Sequence, residues 1–155
     1  MTEDLAELDA LLADLARRLT APERRKLGQD LADQLRRSNA DRIGRNVTPT
    51  GEAMVARKKR LRENVTPGER IKSGRMFLRA RSPRFLRKQA SASEAVVRFA
   101  GSAARIMRVH QFGEIDAVDR KPGAPRVQYP ARELLGYSEA DRQMILDVVL
   151  RHLGT

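Results

Sequence analysis

The apolar residues at the amino terminus recur with the spacing of one face of a helix. Five leucines alternate at steps of three and four residues, which predicts a helix over residues 1–19. Thr20 is placed to cap a second helix, with Glu23 reaching back as in a capping box, and the pattern runs to about Ile43 before Gly44 offers a stop. Two successive helices predict a helical hairpin over residues 1–45. The leucines of the first helix are Leu5, Leu8, Leu12, Leu15 and Leu19.

Helical spacing is lost after Asn46. The turn formers Pro49, Gly51, Pro67 and Gly68 occur here with few large apolar residues between them. This pattern predicts a long mobile loop over residues 46–83, which we call the basic arm.

The rest of the chain, residues 84–155, mixes short strand-like runs with helical ones. A first run opens at residues 85–86 and a second spans residues 95–99, which together predict a β-hairpin. Helical spacing returns in a short stretch that ends near Gly113, and a polar connection over residues 114–125 leads to a third strand at residues 126–129. The apolar side of the short helix consists of Ala103, Ile106, Met107 and His110.

A last helix follows Ser138, which is predicted to cap it together with Asp141, and Gly154 suits its end. Its apolar side contains Ile145, Val148 and Val149, which we expect to be buried against the sheet. The fold class expected is therefore α+β within a single domain, residues 1–155. Its parts are an amino-terminal helical hairpin, a long basic loop, a small antiparallel sheet with a short helix, and a carboxyl-terminal helix.

Charge is distributed very unevenly along the chain. The 155 residues include 31 basic and 20 acidic side chains, a net charge of +11, and residues 57–88 alone hold 13 basic and 2 acidic ones. Such a run repels itself in a compact state, so we expect the basic arm to stay extended until a partner supplies negative charge. That partner is either an acidic protein surface or nucleic acid.

Several classes of chemistry are disfavoured. The chain contains no cysteine, which excludes thiolate nucleophiles and cysteine metal sites, and it has no glycine-rich phosphate motif. Neither His110 nor His152 has the partners of a metal site or a general base, so a structural or interface role is predicted for His110. We expect no cofactor and no metal. The acidic start and the lack of a long apolar run predict a protein made in the cytosol without a membrane span.

Two segments go beyond generic pattern, residues 104–113 and residues 129–138 with the Asp141 that follows. With residues 74–77 and 85–87, they resemble the phage virion morphogenesis family, the tail completion proteins of contractile-tailed phages and related prophages. The likeness runs from the leucine-rich start to the last helix. In one departure, Glu52, Ala53 and Met54 stand where many relatives have tryptophan or tyrosine.

This resemblance implies a structural assembly protein that finishes the head-facing end of a phage tail so that it joins a DNA-filled head. It implies no catalysis. It also implies a cyclic homo-oligomer with head-to-tail interfaces, tail and neck proteins as partners, and a location in the host cytoplasm during assembly and then in the virion tail or neck.

The residues expected to make interactions come from the best-matched segments and from the basic arm. Arg132 is either solvated beside a strand end or bridges subunits, and the arm faces either a neighbour's acidic surface or DNA phosphates. A non-specific DNA-binding protein remains the main alternative, although six aromatic residues and no tryptophan offer little for base stacking. A small hydrolase that uses His110 is a further rival. The candidate interaction residues are His110, Gln111, Gly113, Arg132, Arg57, Lys58, Lys59, Arg60, Arg75 and Arg79.

Overall fold

The computed structural model describes residues 17–57 and 75–154 and, nearer the amino terminus, a few residues that are all helical. Arg17 and Arg18 are helical too, whereas Leu19 is not, so the first predicted helix is confirmed at the described residues as far as Arg18. Leu19 is buried, and the other four leucines of the predicted apolar stripe lie outside the described residues. The early helical residues are Ala6, Asp9, Ala10, Ala13 and Asp14.

Helix α1 spans Ala21–Arg45. The carboxylate of Glu23 accepts hydrogen bonds from the backbone N–H of Thr20 at 2.6 Å and from its hydroxyl at 2.7 Å, which confirms the predicted start. The predicted stop at Gly44 is wrong. Gly44 is buried inside the helix, where an added Cβ would lie 2.5 Å from the guanidinium of Arg81. The helix ends at Arg45, and the Asn46 that follows has a φ of 55°, the left-handed conformation that terminates helices.

The described stretches of the basic arm, residues 46–57 and 75–83, differ from the mobile loop expected there. An isolated β-bridge joins Val47 to Ala53, a turn connects them, and Met54 is buried. The backbone N–H of Met54 donates to the carbonyl of Asn46 at 2.8 Å. Because these backbone polar groups are bonded within the fold, the two described stretches do not need a partner to order them.

Strands β1, Leu86–Ala90, and β2, Ala95–Phe99, form a two-stranded sheet. Hydrogen bonds join Ala100 to Phe85 at one end and Ser91 to Glu94 at the other. The residue numbers of the two pairs have the same sum, as they do in an antiparallel hairpin. The predicted β-hairpin is therefore confirmed.

Helix α2 spans Ala103–Phe112 and ends at Gly113, as predicted. Its buried face differs in part from the expected one, because Met107 and Val109 are buried whereas Ile106 is exposed.

The third predicted strand is found, but with a different partner. Strand β4, Arg126–Gln128, pairs antiparallel with β3, Ile115–Ala117, in a second two-stranded sheet. The prediction assigned residues 114–125 wholly to a polar connection and therefore missed β3. A strand of only three residues with Asp116 at its centre has too little alternation of polarity to be recognised from sequence.

Helix α3 spans Glu139–Leu153 and begins with the predicted capping box. The Ser138 hydroxyl accepts from the backbone N–H of Asp141, and the Asp141 carboxylate accepts from the backbone N–H of Ser138 at 2.8 Å. Val148 and Val149 are buried as expected, and Ile145 is half-buried. None of the helices in the described part of the chain combines the length and apolar character that a membrane crossing needs.

The described helices and the two small antiparallel sheets make the fold α+β, as predicted. The chain divides into two compact units. One unit groups residues 1–38, 87–98 and 137–155, and its core contains Leu19, Ala32, Leu35, Val148 and Val149. The other groups residues 39–86 and 99–136, and its core contains Ile43, Met54, Ala80, Leu86, Met107, Val109 and Leu134. The single-domain assignment stays a prediction.

Candidate functional site

Most of the residues singled out from sequence lie in the second unit, where the two described stretches of the basic arm meet α2 and the segment after β4. Five side chains hold those stretches, and we call them the arm root. They come from the end of α1, the basic arm, α2 and the chain that follows β4. They are Asn46, Phe77, His110, Tyr129 and Arg132.

Arg132 holds the part of the basic arm before Arg57 through hydrogen bonds. The residue is buried with only 5% of its surface exposed, and its Nε donates to the carbonyl of Val55 at 2.7 Å while Nη2 donates to that of Ala56 at 3.2 Å. Its backbone N–H donates to the carbonyl of His110 at 2.7 Å. A planar guanidinium is suited to hold two successive carbonyls at once, because its donors have a fixed geometry.

Asn46 holds the part of the basic arm that begins at Arg75 through hydrogen bonds. Its side-chain carbonyl accepts from the backbone N–H of Met76 at 2.9 Å, and its amide donates to the Met76 carbonyl at 3.0 Å. The same amide group also donates to the carbonyl of Ile43 at 2.8 Å. Asn46 therefore ends α1 with its backbone and pairs with the arm through its side chain, as one strand pairs with another.

His110 lies close to both sets of hydrogen bonds, those of Arg132 and those of Asn46. Its ring makes edge contacts with Phe77, at 4.9 Å between centroids, and with Tyr129, at 5.1 Å. Burial lowers the pKa of His110 to about 4, and the positive charges of Arg132 and then Arg57 act in the same direction. The imidazole is therefore neutral at physiological pH, and its Nδ1 lies 3.0 Å from Nη1 of Arg132.

Phe77 adopts an uncommon backbone conformation. Its φ of 63° lies in the left-handed region, which costs a residue with a side chain of this size on the order of 1–2 kcal/mol. The turn over residues 77–81 follows directly, with the Phe77 carbonyl accepting from the backbone N–H of Ala80 at 2.9 Å. The ring is thus directed at His110 by a backbone that the surrounding contacts hold in place.

Gln111 and Gly113 fix the end of α2 to the segment after β4. The side-chain carbonyl of Gln111 accepts from the backbone N–H groups of Leu134 and Leu135 at 2.8 and 2.9 Å, and its amide donates to the Leu135 carbonyl at 2.9 Å. Gly113 turns the chain with a φ of 66°, and a Cβ placed there would lie 2.9 Å from the backbone nitrogen of Ala131.

The sequence-predicted residues are thus partly brought together. His110, Gln111, Gly113 and Arg132 belong to one network, and Arg57 is close enough to act electrostatically on His110 and Arg132. The solvated reading of Arg132 is wrong, because the side chain is buried among partners within its own unit. Whether any of these residues contacts another subunit stays a prediction. Arg75 and Arg79 are exposed, and Lys58, Lys59 and Arg60 lie outside the described residues.

Three residues of the arm root were not singled out from sequence. Phe77 and Tyr129 stand in the segments that carry the family resemblance, which was the available signal, but no role was assigned to them. Asn46 carried a weaker signal, because asparagine is one of the few residues that tolerate a left-handed backbone. That its side chain bonds a residue 30 positions later has no sequence signature.

The network is suited to holding chain segments rather than to acid–base chemistry. Arg132 pairs with carbonyls and with a neutral imidazole, and its pKa is lowered by burial and then by Arg57. Within the described ranges, no group of three or more histidine, aspartate or glutamate side chains is arranged to hold a metal ion.

Comparison with known proteins gives a match along nearly the whole chain. The family model described as the phage virion morphogenesis family matches residues 3–154. The chain is also similar to tail completion protein S of Escherichia phage P2, with 36% identity over 143 residues that cover 92% of each protein. No solved structure matches the chain.

Proposed function

Because the chain belongs to the phage virion morphogenesis family, we propose that it acts in phage tail assembly as a structural protein that completes the head-proximal end of the tail and enables head-to-tail joining. The relative in phage P2 is itself named a tail completion protein. We further propose that the protein is made in the host cytoplasm, takes its place in the tail or neck, and contacts other tail and neck proteins there.

The observation that carries this proposal is the arm root. Arg132 holds the residues before Arg57, Asn46 holds the residue after Arg75, and His110 lies beside both. The intervening residues 58–74 carry six basic and two acidic side chains. A cationic segment that is tethered at both ends has fewer conformations to lose on binding than one tethered at a single end, which favours a docking role.

We propose that the subunits form a ring and that the basic arm of each one orders on a neighbour's acidic surface. A ring of identical subunits requires head-to-tail contacts between two different surfaces, and a cationic segment provides one of them. Contact with the genomic DNA is the second use of the same charge. The protein-directed use is favoured because the rings of Phe77 and Tyr129, two of the six aromatic residues, already pack on His110.

The test is to inactivate the gene in its phage or prophage and to image the lysate. We expect separate DNA-filled heads and unfinished tails, and restoration of joined particles when the full chain is supplied in trans. Infectious particles at the normal titre without the gene would rule out the joining role.

The role of the basic arm is tested by complementation with charge-neutral variants. Lys58→Gln, Lys59→Gln and Arg60→Gln combined should fail to restore joined particles. The control replaces Arg17 and Arg18 by glutamine, since these exposed residues lie outside the arm and pair with Asp14. Trypsin should cleave the free subunit within residues 58–74 and cleave it more slowly after assembly, if the arm orders on its neighbour.

Non-specific DNA binding is the second candidate, and the net charge of +11 is the observation that favours it. A DNA-binding protein retains its affinity as a monomer and loses it steeply with salt. An assembly protein instead binds to tails. Sedimentation with purified tails, in parallel with DNA titration at two salt concentrations, separates the two candidates. If the protein were a small hydrolase that uses His110, the substitution His110→Asn would abolish its hydrolase activity. We expect no hydrolase activity for this substitution to abolish.

A further inference from the structure

The two outer edges of the β3–β4 sheet differ in how their backbone groups are used. The register pairs Ile115 with Gln128 and Ala117 with Arg126. The backbone N–H of Tyr129 donates to Glu114, and that of Val118 donates to Pro125. Because bonded and non-bonded pairs alternate along an antiparallel ladder, the backbone groups of Ile115 and Ala117 point away from β4, and those of Arg126 and Gln128 point away from β3.

The outer edge of β3 is partly closed by side chains of its own sheet. The Asp116 carboxylate accepts from the backbone N–H of Ala117 at 2.9 Å, and it is itself held by an ion pair with Arg105. The guanidinium of Arg126 reaches across the sheet to the carbonyl of Ile115 at 3.5 Å. A strand edge whose groups are covered in this way is a poor template for another strand.

The outer edge of β4 is open. Within the part of the chain that the structure describes, the outward backbone N–H and C=O groups of Arg126 and Gln128 have no hydrogen-bond partner. All three residues of β4 are exposed, including 39% of Val127. Pro125 directly precedes the strand, and Pro130 directly follows Tyr129. Because proline has no backbone N–H to donate, the open edge is short.

We propose that β4 pairs antiparallel with β4 of a second copy of this chain, about a two-fold axis that passes beside Val127. In that register Arg126 lies opposite Gln128 of the partner subunit, and each exchanges both backbone hydrogen bonds with the other. Val127 lies opposite Val127 of the partner subunit as the closely spaced, non-bonded pair. The two small sheets then form one four-stranded sheet.

We assign a second copy of this chain to the open edge of β4 because this strand is complementary to itself. The two-fold register places a cation opposite a neutral amide and an apolar side chain opposite its own copy, so no like charges face each other. Each Arg126 side chain leans across its own β3, away from the partner. Because both subunits use the same surface, the pair is closed and does not extend into a ring. The inference thus describes the free subunit and does not rest on the proposed role in the tail.

Cysteine cross-linking tests the register directly, because the chain has no cysteine of its own. Val127→Cys places two thiols opposite each other at the spacing of a disulfide, whereas Arg126→Cys places its thiol opposite Gln128 of the partner subunit. We expect Val127→Cys to form a covalent dimer under mild oxidation at least about tenfold faster than Arg126→Cys. A mixture of Arg126→Cys and Gln128→Cys chains should give the mixed dimer.

Removal of the edge donor provides a second measurement. Gln128→Pro deletes an outward N–H without touching the bonds between β3 and β4, and Gln128→Ala is the matched control because both variants lose the side-chain bond to Gly113. Sedimentation of the unmodified chain and of Gln128→Ala should show a concentration-dependent dimer that Gln128→Pro lacks. A monomer at all concentrations, equal cross-linking of the two cysteine variants, or a dimer unaffected by Gln128→Pro would overturn the proposal.

Discussion

Nη1 of Arg132 lies 3.0 Å from Nδ1 of His110. Arginine has only donors, so Nδ1 must accept, and the neutral imidazole carries its proton on Nε2. Protonation of Nδ1 would remove this bond and place two positive charges in contact. The network at the arm root therefore depends on the charge state of a single histidine.

Acid should weaken the fold through this histidine. The pKa of His110 is lowered from 6.5 to about 4. Between those values the unfolded chain binds more protons than the folded one, so stability is full above pH 6.5 and falls as the pH falls toward 4. The ring is half-buried, so we expect a loss of about 2 kcal/mol rather than the full value of the shift. Urea unfolding at pH 7.5, 5.5 and 4.5, followed by tyrosine fluorescence, measures it.

His110→Asn is the control for that measurement, because it retains an acceptor for Arg132 but does not titrate. The difference in free energy of unfolding between the natural chain and this variant should shrink as the pH falls. A difference that stays constant from pH 7.5 to 4.5 would assign the acid sensitivity to other groups.

Arg132→Lys should loosen the stretch of the basic arm before Arg57 although the charge is kept. A lysine ammonium is a point charge and does not span the carbonyls of Val55 and Ala56 as the guanidinium does. We expect a loss of about 2–3 kcal/mol in the free energy of unfolding and faster amide hydrogen exchange over residues 53–57. Arg120→Lys, at an exposed position, should change stability by less than about 0.5 kcal/mol. Unchanged exchange over residues 53–57 would show that Arg132 does not hold this stretch.

The features that local sequence predicts well are those whose partners are near in the chain. Ser138 and Asp141 form their capping box three residues apart, and Gly113 ends α2 where helical spacing stops. The helix stop predicted at Gly44 was wrong because the small size of this glycine allows close packing against Arg81. The left-handed residue that follows the helix is Asn46.

The arm root was beyond sequence reasoning for a related reason. Arg132 bonds a carbonyl 77 residues earlier, and Asn46 bonds a residue 30 positions later. Composition identified the basic arm, and the family segments pointed to residues 110–113 and to Arg132. Burial of Arg132, however, depends on which distant segments pack on it, and no local pattern encodes that.

Gln111→Ala should destabilise the second unit through backbone groups that it leaves unbonded. The N–H groups of Leu134 and Leu135 both bond the Gln111 side chain, and Leu134 is fully buried, so water does not readily replace the lost acceptor. We expect a cost of about 2–3 kcal/mol. Gln143→Ala removes an exposed amide that bonds Asp147 and should cost less than about 0.5 kcal/mol. Equal effects of the two variants in thermal unfolding would contradict this account.

Gly113→Ala and Gly101→Ala separate backbone strain from steric contact. The two glycines have φ values of 66° and 62°, so an alanine at either position carries the same left-handed penalty of about 1 kcal/mol. A Cβ at Gly101 meets no atom of the described residues within 4 Å, whereas one at Gly113 lies 2.9 Å from the nitrogen of Ala131 and 3.1 Å from the carbonyl oxygen of Tyr129. Both of those atoms belong to backbone, which yields less easily than a side chain. We therefore expect Gly113→Ala to cost about 2–3 kcal/mol more than Gly101→Ala in urea unfolding. If the two substitutions cost the same, the end of α2 has room to move away from residues 129–131, and the arm root is less rigid than these contacts imply.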